Sequence, residues 1–193
     1  PTPVYFEDLR RKFTKRELDF VKKVKLNAVN NTGNVRSKST YLLNEPPFKK
    51  LKKDLDAMIK DYFSKVVAGK DIVPYITQSW TNYTKQNQFH HRHSHANSFV
   101  SGVLYIDVDP EVDRIYFYNK SQPTIKVEVS EYNLYNSPSW WFPISTGRVV
   151  LFPSDTVHEV KIKEKDNERI SLAFNVFIKG MLGNARELTE LKI

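Results

Sequence analysis

All five histidines of the chain fall in two places: His90, His91, His93 and His95 in QFHHRHSHANS, and His158 alone in LFPSDTVHEV. Imidazole is the commonest protein metal ligand. With no cysteine in the sequence, a transition metal must be held by imidazole and oxygen, never by thiolate. On an extended segment, side chains two apart share a face, so His93 and His95 can aim at one point while Ser94 between them faces away. His158, at the start of a distant strand, supplies a third imidazole, and the expected metal set is His93, His95 and His158. Spacing alone leaves open a polar loop that is merely rich in histidine. Three imidazoles suit iron, zinc, copper or nickel, so the set does not name its metal. His90 and His91 read as surface residues, or as partners that orient a ligand's other ring nitrogen.

The elements that must position these residues change character along the chain. Residues 15–25, KRELDFVKKVK, read as a short helix with Thr14 as its N-cap, followed by the polar, turn-forming stretch NAVNNTGNVRSKS. From Pro47 onward, Leu51, Leu55, Met58, Ile59, Tyr62, Phe63 and Val66 recur at three- and four-residue spacing, a helical stripe with Gly69 as its terminator. Beyond it come short segments rich in β-branched and aromatic residues: IVPYITQSW, SFVSGVLYIDV, DRIYFYN, TIKVEV, GRVVLFP, HEVKIK and RISLAFNVFI. Many strands without intervening helices argue for a sandwich or jelly roll over a parallel α/β sheet. The expectation is a mainly β (α+β) fold in one domain over residues 1–193: a mostly helical part over 1–70, a jelly-roll core over 71–180 and a C-terminal tail over 181–193. The tail, ARELTELKI, reads as at most a short helix or a frayed end.

Composition sets outer limits. A 193-residue chain that is 40% apolar and 13% aromatic has the makings of a core and is not a disordered segment. The net charge of +8 could attract nucleic acid or anionic surfaces. Much of it, however, lies in lysines that alternate with acids along FKKLKKDLDAMIKDYFSK, which reads as a solvated helix face and argues against specific nucleic-acid binding. No stretch of about 18 apolar residues could span a bilayer, and PTPVYFEDLRRKF lacks the apolar core of a secretory signal. Cytoplasmic residence, with no membrane partner, is the expectation. Trp140 and Trp141 are expected in the core, with walling the pocket or capping the barrel as the alternative, and Tyr116 and Tyr118, alternating with Phe117, on a half-buried strand. Ser98 and Ser101 read as turn or pocket residues, and Asn175 shares a strand face with residues 169 and 171.

The segments HRHSHANSFVSGVLYI, GRVVLFPSDTVHEV and RISLAFNVF, between Trp80 and Phe177, resemble the double-stranded β-helix oxygenases that use iron(II) and 2-oxoglutarate. More narrowly, the HxHxxSxxSGVxY, LFPSxxxHxV and RISLAFN patterns are similar to a small branch of such oxygenases from bacteria and their viruses. The resemblance implies a double-stranded β-helix, or jelly roll, with the N-terminal helices packed outside. It implies iron(II) as metal, 2-oxoglutarate and O2 as cosubstrates, and His158 as the last histidine of the iron triad. It also implies that Arg169 grips the distal carboxylate of 2-oxoglutarate with Ser171 as companion, which the chemistry of a guanidinium fork permits. Tyr105 could add a hydroxyl to the same pocket. One departure stands out: the superfamily's first motif is HxD or HxE, and here it reads His93-Ser94-His95, with Asp107 the next acid along the chain. A three-histidine site is the expectation, and a more distant acid as third ligand the alternative.

The function so implied is a dioxygenase that hydroxylates a substrate, a protein side chain such as proline or a small molecule, with release of succinate and CO2. The rival reading is a cupin-like three-histidine metalloprotein, another metalloenzyme or a sensor, that does not use 2-oxoglutarate. Arg169 and Ser171 argue against the rival, since a metal alone has no use for a carboxylate clamp.

Overall fold

The computed structural model describes residues 2–119, 125 and 127–193. Its larger sheet is built from β1 (Tyr5–Asp8), β2 (Val29–Asn31), β3 (Asn34–Arg36), β4 (Ile72–Thr84), β6 (Val100–Asp107), β9 (Arg148–Pro153), β11 (Arg169–Leu182) and β12 (Leu191–Lys192). The strand order is β1-β9-β6-β11-β4-β3-β2, with β12 added to β11. The smaller sheet runs β5 (His90–His93), β10 (His158–Val160), β7 (Arg114–Tyr118), β8 (Ser139–Pro143). Every ladder pairing between these strands is antiparallel. This is the two-sheet jelly roll anticipated from the strand-rich half of the sequence.

Period-two alternation sorts the side chains of the large sheet into two layers. One face carries Leu104, Val149, Leu151, Leu172, Phe174 and Val176 against the helices α1 (Lys15–Lys25) and α2 (Lys49–Tyr62). The other face turns Tyr105, Val150 and Phe152 toward Ile115 and Phe117 of the small sheet. At the same time it presents Arg169, Ser171 and Ala173 to a pocket between the sheets.

The helices sit outside this sandwich. Thr14 caps α1 with a full capping box: Glu17 N–H donates to Thr14 Oγ1 at 3.2 Å, and Thr14 N–H to Glu17 Oε2 at 2.7 Å. Arg11 then donates to both Glu17 (2.7 Å) and Asp54 of α2 (2.7 Å), tying the helices to each other. Tyr83 Oη donates to the Val21 carbonyl at 2.7 Å and ties α1 to the sheet. On α2, Leu51, Leu55, Ile59 and Tyr62 are buried as the stripe requires, whereas Val66 lies exposed in a final π-helical turn, Phe63–Val67. That turn ends at Ala68 (φ 49°), so Ala68 and not Gly69 takes the left-handed position.

Several expectations are corrected. The stretch read as a turn after α1 is a hairpin, β2–β3, which Val35 and Arg36 pair to β4 and in which Gly33 (φ +87°) makes the turn. Its asparagines disfavour strand in isolation, but Asn34 donates to Thr84 at 3.1 Å once docked. Residues 5–8 also add a strand to β9, so the mostly helical N-terminal part contributes to the large sheet as well. The tail is held too, since Met181 and Leu182 pair with Lys192 and Leu191. SWWFP forms the edge strand β8, where the missing N–H of Pro143 is tolerated. Trp141 is 44% exposed there with the Arg114 guanidinium over its ring at 4.9 Å, so it is not a core residue. Of TIKVEV, Thr124 and Lys126 lie outside the described residues, and Ile125 and 127–129 are not in a strand. No helix among the described residues is long and apolar enough to cross a membrane.

Candidate metal centre

The histidine run and His158 meet through a ladder of backbone bonds. His158 pairs with His93, and Val160 with His90. Three residues on β10 (158–160) thus lie opposite four on β5 (90–93), which is a β-bulge. The bulge turns His90 and His93, three apart, toward the same pocket, where simple alternation would have separated them. Just past β5, His95 N–H donates to the Ser154 carbonyl at 2.8 Å, fastening the first histidine segment to the loop that carries His158. Ser154 Oγ in turn donates to Ser98 Oγ (2.8 Å) and lies 2.9 Å from Ser101 Oγ, whose own proton goes to Asn175 Oδ1 (3.2 Å). Ser98, Ser101 and Asn175 therefore brace the site.

One ligand nitrogen from each of His93, His95 and His158 lies within 4.8 Å of the others. The ring centroids are 4.4 Å apart for His93 and His158, 4.9 Å for His93 and His95, and 5.3 Å for His95 and His158. His93 Nδ1 donates to the His91 carbonyl at 2.7 Å and His158 Nδ1 to the Thr156 carbonyl at 3.0 Å. A carbonyl can only accept, so both rings carry their proton on Nδ1 and keep the Nε2 lone pair for a ligand. Burial pushes His158 down to about 3 and His95 down to about 4, each helped by the neighbouring imidazoles. Burial lowers His93 as well. The set is neutral at physiological pH, the state a cation requires. Phe152, 4.7 Å from the His158 ring, and Trp80, 5.9 Å from the His95 ring, wall it. Among the described residues no Asp or Glu joins these histidines. Asp107, the acid considered as an alternative ligand, is exposed at the far end of β6 opposite Ile170.

Deeper in the same pocket lie Arg169, Ser171 and Tyr105, which are 4%, 8% and 2% exposed. Ser171 and Tyr105 are cross-strand partners, so their side chains rise side by side. Burial raises the Tyr105 phenol well above its ordinary range, leaving it a hydroxyl donor. Arg169 Nη1 donates to Asp113 Oδ1 at 3.4 Å, and Lys163 Nζ donates to the same carboxylate at 3.2 Å. Burial lowers the Arg169 pKa while Asp113 opposes it, and a guanidinium stays charged regardless. Among the described residues these two buried basic side chains share the one carboxylate of Asp113, a setting that favours an anionic ligand in the pocket.

Sequence reasoning did not single out Asp113 or Lys163. Lysine in HEVKIKEK reads as one more solvated charge, and only the chain's path after β10 buries it. His90, set aside as surface or orienting, lines the pocket because of the bulge.

A sequence profile of the family described as "Putative 2OG-Fe(II) oxygenase" matches residues 78–175, just over half of the chain. No curated protein matches. Among solved structures, HygX from Streptomyces hygroscopicus with nickel, 2-oxoglutarate and hygromycin B bound is similar at a TM-score of 0.63 and 13% identity, over 91% of this chain and 82% of that one. A 2OG-Fe(II) oxygenase family oxidoreductase from Burkholderia pseudomallei is similar at 0.60 and 16%, over 90% and 84%. A Pseudomonas putida prolyl-4-hydroxylase is similar at 0.58 and 13%, over 91% and 92%. These likenesses establish the double-stranded β-helix fold. With the family match spanning both histidine segments and Arg169, the chain belongs to the iron(II)- and 2-oxoglutarate-dependent oxygenases, and it is an oxidoreductase of that class.

Proposed function

We propose that His93, His95 and His158 hold the iron of this oxygenase, and that Arg169, Ser171 and Tyr105 hold 2-oxoglutarate. The observation that carries the reading is the single pocket shared by three neutral imidazoles and the buried Arg169 guanidinium. The donor set fits iron(II): the Nε2 lone pairs of His93 and His158 and a ring nitrogen of His95, on a braced frame, leave other positions open for small ligands. Iron(II), 2-oxoglutarate and O2 together supply the oxidising power to hydroxylate a C–H bond, with succinate and CO2 as products. The chain's own residues do the rest. Arg169 and Ser171 fix the distal carboxylate, Tyr105 donates its hydroxyl, and Phe152 and Trp80 keep water from the metal's flank.

The substrate we propose is a protein side chain such as proline, or a small molecule. The prolyl hydroxylase among the structural neighbours supports the first, and the antibiotic-bound neighbour the second. The need for iron(II), in a chain without cysteine, supports work in a reducing, cytoplasmic setting. Residues 1–193 act as one oxygenase-like unit, a reading supported by the pairing of β1 and the β2–β3 hairpin into the large sheet.

Anaerobic titration of the iron(II)-loaded protein with 2-oxoglutarate tests the reading directly. A weak visible charge-transfer band of the chelate is expected, and its absence at full iron occupancy would sink the proposal. Arg169→Ala should weaken 2-oxoglutarate by about 2–5 kcal/mol, the cost of truncating a buried charge pair, and leave iron affinity in place. His95→Ala should weaken iron itself, and unchanged iron affinity would point to another ligand.

A further inference from the structure

Beyond the iron triad, a second group of three imidazoles, His90, His91 and His93, brings one nitrogen each within 4.8 Å of one another. Their ring centroids lie 4.5 Å (His91 and His93), 4.8 Å (His90 and His93) and 5.4 Å (His90 and His91) apart. We propose that this group is a second metal position for a zinc-class divalent cation, and that it excludes the iron site because both sites need His93. Where it concerns iron, the inference rests on the reading above.

Three observations carry it. The bulge in β5 that turns His90 inward also brings its ring over His93, stacked at an interplanar angle of 19°. His91 Nδ1 is buried with no hydrogen-bond partner, a costly state in a protein interior that a bound cation would relieve. The one full cation within the run, Arg92, is laid over the Tyr118 ring, 3.7 Å from its centroid, on the outer side of the strand. Its charge is thereby taken up by the ring face.

Exclusion follows from a single lone pair. His93 Nδ1 donates to the His91 carbonyl, so only Nε2 can ligate, and it can serve one metal at a time. Both sets are all-imidazole, so by the general affinity order each takes copper, nickel or zinc ahead of iron, and the second position suits a zinc-class cation on that ground. Occupation of the second position withdraws His93 from the iron centre, which makes a zinc-class cation an off-switch for the enzyme.

The test uses metal-free protein. His95→Ala disables the iron triad while leaving His90, His91 and His93, and calorimetric titration with zinc should show one ion bound per chain. Long-range proton–nitrogen spectra should then show the ring nitrogens of His90, His91 and His93 shifting together. Adding His91→Ala should weaken zinc at least tenfold. Circular dichroism checks each fold, and His95→Gln replaces the alanine variant if that one does not fold. No zinc binding, unmoved His90 and His91 resonances, or an affinity indifferent to His91→Ala would each overturn the proposal. In the wild type, zinc and iron together should never exceed one ion per chain, and two would overturn exclusion. Failure of the iron reading shows separately, as wild-type iron affinity that His95→Ala does not change.

Discussion

Asp113 holds two cations that would otherwise repel in a dry place. Lys163 and Arg169 both donate to it, and the Asp109 N–H is a third donor at 2.9 Å. Asp113→Asn keeps the shape but removes the charge, leaving two buried cations unpaired. The expected loss is about 3–5 kcal/mol, read as a lower urea midpoint in the absence of 2-oxoglutarate; an unchanged midpoint would mean that Lys163 and Arg169 find other counter-charges. Gly102 is constrained by space alone. A Cβ built there meets Phe174 Cζ at 2.2 Å and Leu151 Cδ2 at 2.8 Å, both in the large sheet's packed layer. Gly102→Ala should therefore destabilise by about 1–3 kcal/mol through overpacking, measured by the same unfolding. Full stability would require the Phe174 ring to swing without cost, which its burial opposes.

At the scale of elements, what could be foreseen from the sequence followed from periodicity, and what could not followed from pairing. Helix α1, its Thr14 cap and the apolar stripe of α2 are local: spacing and capping chemistry decide them. Strands β4, β6, β7, β9 and β11 announce themselves by β-branched and aromatic runs. The residues at 93, 95 and 158 were readable because histidine is rare enough in this chain for its clustering to stand out. His90 was not, because a bulge is a property of two strands together and β5 contains no local signal of it. The β2–β3 hairpin and β1 escaped for the same reason, since their hydrogen bonds are completed by β4 and β9. The cap also sets a pH response. Burial pushes the Glu17 carboxyl up, but the bonds from Arg11 and Thr14 outweigh it and hold its pKa below the ordinary value. A carboxylate depressed in the folded state adds stability above its unfolded pKa of about 4.3, and that contribution drains away as pH falls through the folded value. The melting temperature should therefore drop below about pH 4.3, and the drop should be shallower in Glu17→Gln. Parallel profiles for the two proteins would show that the α1 cap and the Arg11 bridge carry none of the acid response.

For the whole molecule, the brace of helices, large sheet and serine network has to hold open a pocket whose contents carry charge. Buried basic side chains that share one carboxylate beside neutral imidazoles favour bound ligands, so stability and occupancy are linked. A ligand that binds the folded state alone adds about 2.7 kcal/mol at one hundred times its dissociation constant. For a chain of this size that corresponds to a rise of roughly 5–11 °C in melting temperature. Anaerobic iron(II) should give one such step and 2-oxoglutarate a second on top of it, and removal of iron by a chelator should reverse both if, as proposed, the cosubstrate is held partly through the metal. In Arg169→Ala the first step should survive and the second shrink; in His95→Ala both should shrink. The pattern separates the two halves of the site within one measurement. If 2-oxoglutarate gave its full step without any metal, the carboxylate grip at Arg169 would be independent of the histidines, and the shared pocket would be two sites that merely adjoin.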